Sequence, residues 1–439
     1  MTVAYSVPPH NSLMISSNSN RGKVGLLNHM LALAIALSVC VSLSTRGSAQ
    51  TYKLLHSFTG GTKDGSTPYG GLVDLSGTFY GTTSGGGAHA YGTVFKITSA
   101  DKESVLYSFK GPSSDGATPG YMNLITDGKG NLYGTTAYGG NGPCKSNGVS
   151  EGCGTIFKIT TAGKETVLYN FQYGPKDGAG PNGTMVIDSA GNLYGTTEGG
   201  GNLVSGCLNG EGCGTVFEYT TTGKEKVLYT FCPDAAANCP DGAGPSGVLV
   251  RDASGNLYGT TAGGGAHLGG TVFKVTPNGK ETVLYSFCAN ADCTDGEGPM
   301  GGLALDATTK ILYGTTVAGG TGMCGQESGG GGTLFQISTG DKNFKVLHSF
   351  NSALGDGCNP WGAPVLDTAG NVYGTTLLGD TVSGAVFEFS ARGNETVLYS
   401  FDYVGVGPVD TLIDSNGTLY GTTVAGGADK HGMVFELIP

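Results

Sequence analysis

The stretch LYGTTAGGGAHLGGTVFKVTPNGKETVLYSF, residues 257–287, decides the fold. It holds three blocks of strand-forming residues, LYGTT, GTVFKV and ETVLYSF, separated by a glycine cluster and by the turn TPNGK at Thr276–Lys280. Short apolar and β-branched blocks between Gly and Asn turns read as strands joined by tight hairpins. Working outward, YGTT recurs at Tyr80, Tyr133, Tyr194, Tyr258, Tyr313, Tyr373 and Tyr420, at intervals of 47 to 64 residues. A GTVFK-like block places Phe95, Phe157, Phe217, Phe273, Phe335, Phe387 and Phe435 after each of them. A VLYSF-like block ends at Phe58, Phe109, Phe171, Phe231, Phe287, Phe350 and Phe401, and a Pro-x-Gly-like turn and an apolar run ending in Asp, such as GPSGVLVRD at Gly244–Asp252, leads into the next YGTT.

Four strands per repeat at this spacing point to propeller blades, because β-helix coils repeat at far shorter intervals. The predicted fold is all-β: a seven-bladed β-propeller with four antiparallel strands per blade, one domain over residues 50–439. The chain enters this array with YKLLHSF from Tyr52, an outer-type strand without its blade, and ends on HGMVFELIP, which lacks its outer strand. Ring closure accounts for both: Tyr52–Phe58 should pair with Met433–Ile438 as the outer strand of the last blade, leaving no edge open.

The LYGTT, GG, GTVFK and VLYSF blocks, over Thr51–Pro439, resemble those of the GloVer tandem-repeat proteins, exported bacterial proteins described as having a choice of anchor. The resemblance implies tandem repeats and export, and implies no biochemical activity. Members can end in a sorting or anchoring segment, whereas this chain stops at Pro439 on a strand, so release or a periplasmic location is expected.

Residues 1–49 contain no Asp or Glu, carry Arg21 and Lys23, and run through the apolar stretch Leu31–Leu43 into RGSA. A basic segment, a short apolar core and a small-residue site make a secretory signal peptide, with a cut expected after Ala49. The core is too short for a spanning helix, which needs roughly 17–25 residues. Without this leader the net charge moves from −11 to near −14, since three of the 23 basic residues and none of the 34 acidic ones precede residue 50. Nucleic acid is therefore excluded as a partner, as are anionic membrane surfaces, because both demand clustered Lys and Arg. Ten cysteines remain after cleavage. Eight form close local sets, Cys144 with Cys153, Cys207 with Cys213, Cys232 with Cys239 and Cys288 with Cys293, and Cys324 and Cys358 are left over. An even count in an exported chain reads as disulfides, although spacing leaves their connectivity open. The spacing lacks the paired knuckles with histidines that zinc favours, so no metal is expected.

Within the repeat frame, an Asp-Gly pair precedes the inner strand at Asp64, Asp115, Asp177, Asp241, Asp295 and Asp356. A ring of carboxylates could hold calcium, but an Asp that caps backbone amides in a recurring turn explains six copies better. Departures from the frame are stronger functional candidates. The position after the entering proline holds Tyr69, Gly120, Asn182, Ser246, Met300, Trp361 and Val409, and Trp361 is the chain's one tryptophan. Trp361, Tyr69 and Tyr121, aromatic platforms at the channel mouth, are with Met300 the expected ligand-binding residues. Glu198 and Asp410 depart from the frame as acids, but on blades three and seven they lie too far apart for a glycosidase pair. Asp380, Asp410 and His431 form a second weak catalytic set. His56 and His348 stand where other repeats have Tyr, as strand residues, and His89, His267 and His431 sit in separate loops. Glycine runs such as Gly329–Gly332 lack a phosphate-loop lysine, so no nucleotide or other cofactor is expected. The reading is a binding propeller for carbohydrate or protein with no catalysis. Its alternatives are a secreted polysaccharide hydrolase or lyase and a structural envelope protein.

Overall fold

The computed structural model describes residues 50–439 apart from 121–122, 147, 204–206, 208–211, 234–237, 326–328, 341, 380–382 and 402–406. The expected leader lies outside the described residues. Seven antiparallel four-stranded sheets form the blades of a β-propeller. Blade 4 shows the plan: Ala243–Arg251 innermost, then Leu257–Gly263, Thr271–Val275 and Glu281–Ser286 outermost. Among the described residues the only helical turns are the 3-10 segments Ala291–Cys293 and Ser352–Leu354.

Ring closure is as expected. The strand Thr51–Ser57 pairs antiparallel with Met433–Ile438, from Thr51 opposite Ile438 to Ser57 opposite Met433, and completes blade 7 outside Thr418–Thr423 and Ile413–Ser415. The inner strands vary in length from blade to blade. They shrink to Ile125–Thr126, Val186–Ile187 and Val365–Leu366 in blades 2, 3 and 6.

The recurring motifs have packing causes. In each YGTT the glycine lies under the ring of the following strand's phenylalanine: a Cβ on Gly259 would sit 2.6 Å from Phe273 Cζ. That phenylalanine meets edge-to-face the one ending the previous blade's outer strand, with ring centroids 5.1 Å apart for Phe58–Phe95, Phe109–Phe157, Phe231–Phe273 and Phe287–Phe335. All are fully buried, so the aromatic core runs between blades. The last threonine of YGTT is also buried, and its hydroxyl pairs across the sheet with the threonine opening the third strand, as in Thr83–Thr93 at 2.7 Å and Thr261–Thr271 at 2.9 Å.

A polar seam accompanies the aromatic one. The Tyr107 hydroxyl donates to Asp115 Oδ2 at 2.7 Å and lies 3.5 Å from Glu165 Oε2, which belongs to the next blade's outer strand. Burial, then the neighbouring Asp115 charge, pushes the Glu165 carboxyl up to about 7. Burial and Asp177 push Glu225 to about 8, and burial and Asp241 push Glu281 to about 7. An acid whose folded pKa is raised contributes stability that is complete below its unfolded pKa, near 4.5, and is lost as pH rises through the folded value. The opposite case holds in the inner hairpins. There, against the upward push of burial, hydrogen bonds from Asn192 and Tyr194 hold Asp188 below its ordinary value, and Asn256 and Tyr258 do the same for Asp252, so protonation below about pH 4 costs stability. The midpoint of thermal unfolding should therefore be highest near pH 5 and fall by several degrees by pH 8.5. The triple variant E165Q/E225Q/E281Q should flatten the alkaline fall, and an unchanged slope in that variant would refute this assignment.

Candidate functional site at the channel mouth

Two loop classes share one face of the ring, those between second and third strands and those that enter the next inner strand. Small ladders bind them together, such as Gly65–Ser66 with Gly85–Gly86 and Gly178–Ala179 with Gly199–Gly200. All five disulfides lie here: Cys144–Cys153, Cys207–Cys213, Cys232–Cys239, Cys288–Cys293 and Cys324–Cys358. The second and third abut, with Cys207 Sγ 3.3 Å from Cys239 Sγ, and tie the blade 3 loop to the one entering blade 4.

The Asp-Gly aspartates act as turn caps. Asp64 accepts the N–H groups of Thr59 and Gly65 at 2.8 and 2.7 Å, and Asp177 those of Gln172 and Gly178, each at 2.7 Å. These bonds hold each entering loop against its blade and fix where the next residues emerge.

What emerges is a single cavity. Tyr69, Asn182, Ser246, Met300, Trp361 and Val409, the residues after the entering prolines of six blades, line it together with Asp410. Its walls come together because inner strands start in contact across blades. Asn123 N–H donates to Thr184 Oγ1 at 2.9 Å, Val248 N–H to Gly301 O at 3.1 Å, and Ala363 N–H to Thr411 Oγ1 at 3.2 Å. The volume is about 60 Å³, room for a few waters or one protruding group of a larger ligand. A larger hollow of about 450 Å³ lies over the blade 7–blade 1 hairpins. Its polar groups are engaged with one another, Lys53 2.7 Å from Asp101 and Ser415 Oγ donating to Asp74 at 2.8 Å, and it does not gather the residues that depart from the repeat frame.

Asp410 is the acid of the channel cavity. Its Oδ1 accepts the Thr411 N–H at 2.6 Å, while buried Oδ2 has no hydrogen-bond partner. Oδ2 instead points over Gly71, where a Cβ would sit 2.7 Å from it, so only glycine fits beneath this carboxyl. Burial pushes its pKa well above the usual carboxylate range, against the opposing Thr411 hydrogen bond. A protonated Asp410 can donate from Oδ2 to a ligand oxygen.

The sequence candidates thus divide. Trp361, Tyr69, Met300 and Asp410 share the cavity. Tyr121 and Asp380 lie outside the described residues. Glu198 stands one layer back, accepting from Asn182 Nδ2 at 3.3 Å. His431 is absent from the lining, and its ring covers Gly60 in the loop entering blade 1. Beside Asp410 and the Tyr69 phenol, the described lining carries no titratable side chain. Sequence reasoning noted the positions of Asn182, Ser246 and Val409 without choosing those residues. Their shared offset from proline is the signal that could have selected them.

Among solved structures, the chain is similar to an oligogalacturonate lyase from Vibrio parahaemolyticus, with 10% identity, a TM-score of 0.53, and 90% of this chain and 94% of that one covered. It is also similar to the extracellular domain of a hybrid two-component system protein from B. thetaiotaomicron, with 13% identity, a TM-score of 0.51, and 88% and 41% covered. These likenesses show the fold alone. None of the curated proteins compared with the chain matches it. The sequence profile described as the Gloeobacter/Verrucomicrobia repeat matches three times, at residues 39–238, 142–326 and 320–439. The chain belongs to the Gloeobacter/Verrucomicrobia (GloVer) repeat family.

Proposed function

We propose that this propeller is an exported binding module that takes a carbohydrate or protein ligand at the channel mouth and does not transform it. One observation carries the reading: the frame-breaking residues of six blades converge on one cavity with two aromatic side chains, Trp361 and Tyr69, and a single carboxyl. Aromatic faces beside a few polar groups suit stacking on a sugar ring or an apolar side chain. The small volume fits recognition of a chain end or a protruding substituent, with the rest of the ligand lying on the loop face. The disulfides of that face, together with the apolar leader-like segment before residue 50, support export. No helix among the described residues is long and apolar enough to cross a membrane.

As the one tryptophan, Trp361 is its own probe. Ligands selected on a glycan array should change its fluorescence on titration. Trp361→Ala should weaken binding tenfold or more by calorimetry, about 1.4 kcal/mol. Binding unaffected by Trp361→Ala would remove the cavity from the reading. The hydrolase or lyase alternative has the raised Asp410 in its favour. Product formation from a polysaccharide that is lost in Asp410→Asn would replace the binding reading with it. A mature protein that retains no glycan or protein would favour a structural envelope role.

A further inference from the structure

The interblade seam varies in an ordered way. Where one blade carries Tyr107, Tyr169 or Tyr229 beside its capping aspartate, the next blade carries Glu165, Glu225 or Glu281. Where the glutamate is replaced by an aromatic residue, the tyrosine stacks on it instead, Tyr285 on Phe344 at 3.7 Å and Tyr399 on Tyr52 at 4.2 Å. Two interfaces do neither. There histidine takes the tyrosine position while both carboxylates remain: His56 with Asp64 and Glu103 between blades 7 and 1, and His348 with Asp356 and Glu395 between blades 5 and 6.

The geometry at both is that of a ligand set. One nitrogen and two carboxylate oxygens lie within 4.8 Å of one another in each cluster. His56 Nε2 is 3.3 Å from Asp64 Oδ2 and 4.0 Å from Glu103 Oε2, and His348 Nε2 is 2.8 Å from Asp356 Oδ2. The acids are withdrawn from water, with side-chain exposures of 9% for Asp64, 12% for Glu103 and 5% for Asp356. The second oxygens of Glu103 and Glu395 are buried without a hydrogen-bond partner, as are those of Glu165, Glu225 and Glu281 at the tyrosine interfaces, so the histidine nitrogen is what sets these two clusters apart. A single imidazole nitrogen has at most one proton to share between two carboxyl groups, so histidine alone leaves carboxyl oxygens unmatched. A divalent cation bound by neutral imidazole and both carboxylates balances the charge. The histidines are about a fifth exposed, which leaves an approach from solvent and room for water as a further ligand.

We propose that these two interfaces are equivalent binding sites for a divalent transition-metal ion of the zinc type, His56–Asp64–Glu103 and His348–Asp356–Glu395. The mixed nitrogen and oxygen set favours zinc, cobalt or manganese over calcium, which takes six or more oxygens. The first site bridges the N-terminal strand, the loop entering blade 1 and that blade's outer strand, so an ion there clamps the ring at its closure. The second clamps blade 5 to blade 6 in the same way.

The repeat supplies its own control, because His→Tyr at either position installs the residue of the neighbouring blades. Mature protein with intact disulfides, stripped with a chelator, should bind two equivalents of zinc chloride by calorimetry, and its unfolding midpoint should rise by several degrees at saturation. H56Y and H348Y should each bind one equivalent, and H56Y/H348Y none, with circular dichroism unchanged. E103Q/E395Q provides a second route should a tyrosine variant fail to fold. Cobalt should give visible d–d bands without thiolate charge transfer. Zinc binding equal in wild type and H56Y/H348Y, no binding at all, or a cobalt–thiolate band would each overturn the assignment.

Discussion

Removing Thr51–Phe58 from the mature chain is expected to abolish its cooperative thermal transition and drive it into aggregates. This strand is remote in sequence from its partner, yet it makes the last ladder of the ring, with six residue pairs to Met433–Ile438. Tyr52 stacks on Tyr399 and reaches Phe401, Phe58 packs on Phe95, and the Phe58 N–H donates to Gly432 O at 2.9 Å. Deletion removes the buried Phe58 from the blade 7–blade 1 core and exposes the long edge Met433–Ile438, an unpaired row of backbone groups ready to template association. Loss of one large buried aromatic alone costs about 3–5 kcal/mol, comparable with the whole stability of many domains. Differential scanning calorimetry and size-exclusion chromatography measure the outcome. A synthetic peptide TYKLLHSF added in trans should restore a monomeric peak by strand addition. A truncated chain that melts within a few degrees of the full one would show that closure contributes little.

Gly259→Ala should destabilise the fold by about 3 kcal/mol. The added carbon would lie 2.6 Å from Phe273 Cζ and 2.7 Å from Leu249 Cδ2, both on fully buried side chains. Neither can move without disturbing a neighbouring blade, since Phe273 is wedged on Phe231. Overpacking a tight core costs about 1–3 kcal/mol and more where relief is blocked. Gly263→Ala, later in the same strand, meets nothing within 4 Å and should stay within about 0.5 kcal/mol of wild type. Denaturant midpoints of the two variants test the pair. Equal midpoints would mean that the YGTT glycine is not required by the phenylalanine above it.

Much of the fold was legible because each blade repeats the same local physics. Recurring short apolar and β-branched blocks, glycine and asparagine turns and the stray outer strand at Tyr52 pointed to blades, their number and the closure. The turn-capping role of the aspartates followed from their recurrence, since the aspartate of each of six Asp-Gly pairs accepts an N–H from a residue just after the outer strand. The candidate site was legible only in outline. The residues after the entering prolines stood out as variable, and Trp361 as unique, but their convergence needed ring geometry. His431 was grouped with Asp410 as a residue of the same blade, and its ring covers Gly60.

The amino-acid sequence by itself determined the architecture of this protein, its four-stranded blades and the strand that seals them, because strand, turn and core preferences act over a few residues and repeat. Tertiary structure alone decided which side chains meet across blades: Trp361 with Tyr69 and Asp410 in the channel, and His56 with Glu103, 47 residues away, at the seam. Those meetings depend on how neighbouring blades are placed round the ring, a rigid-body relation that no local periodicity encodes.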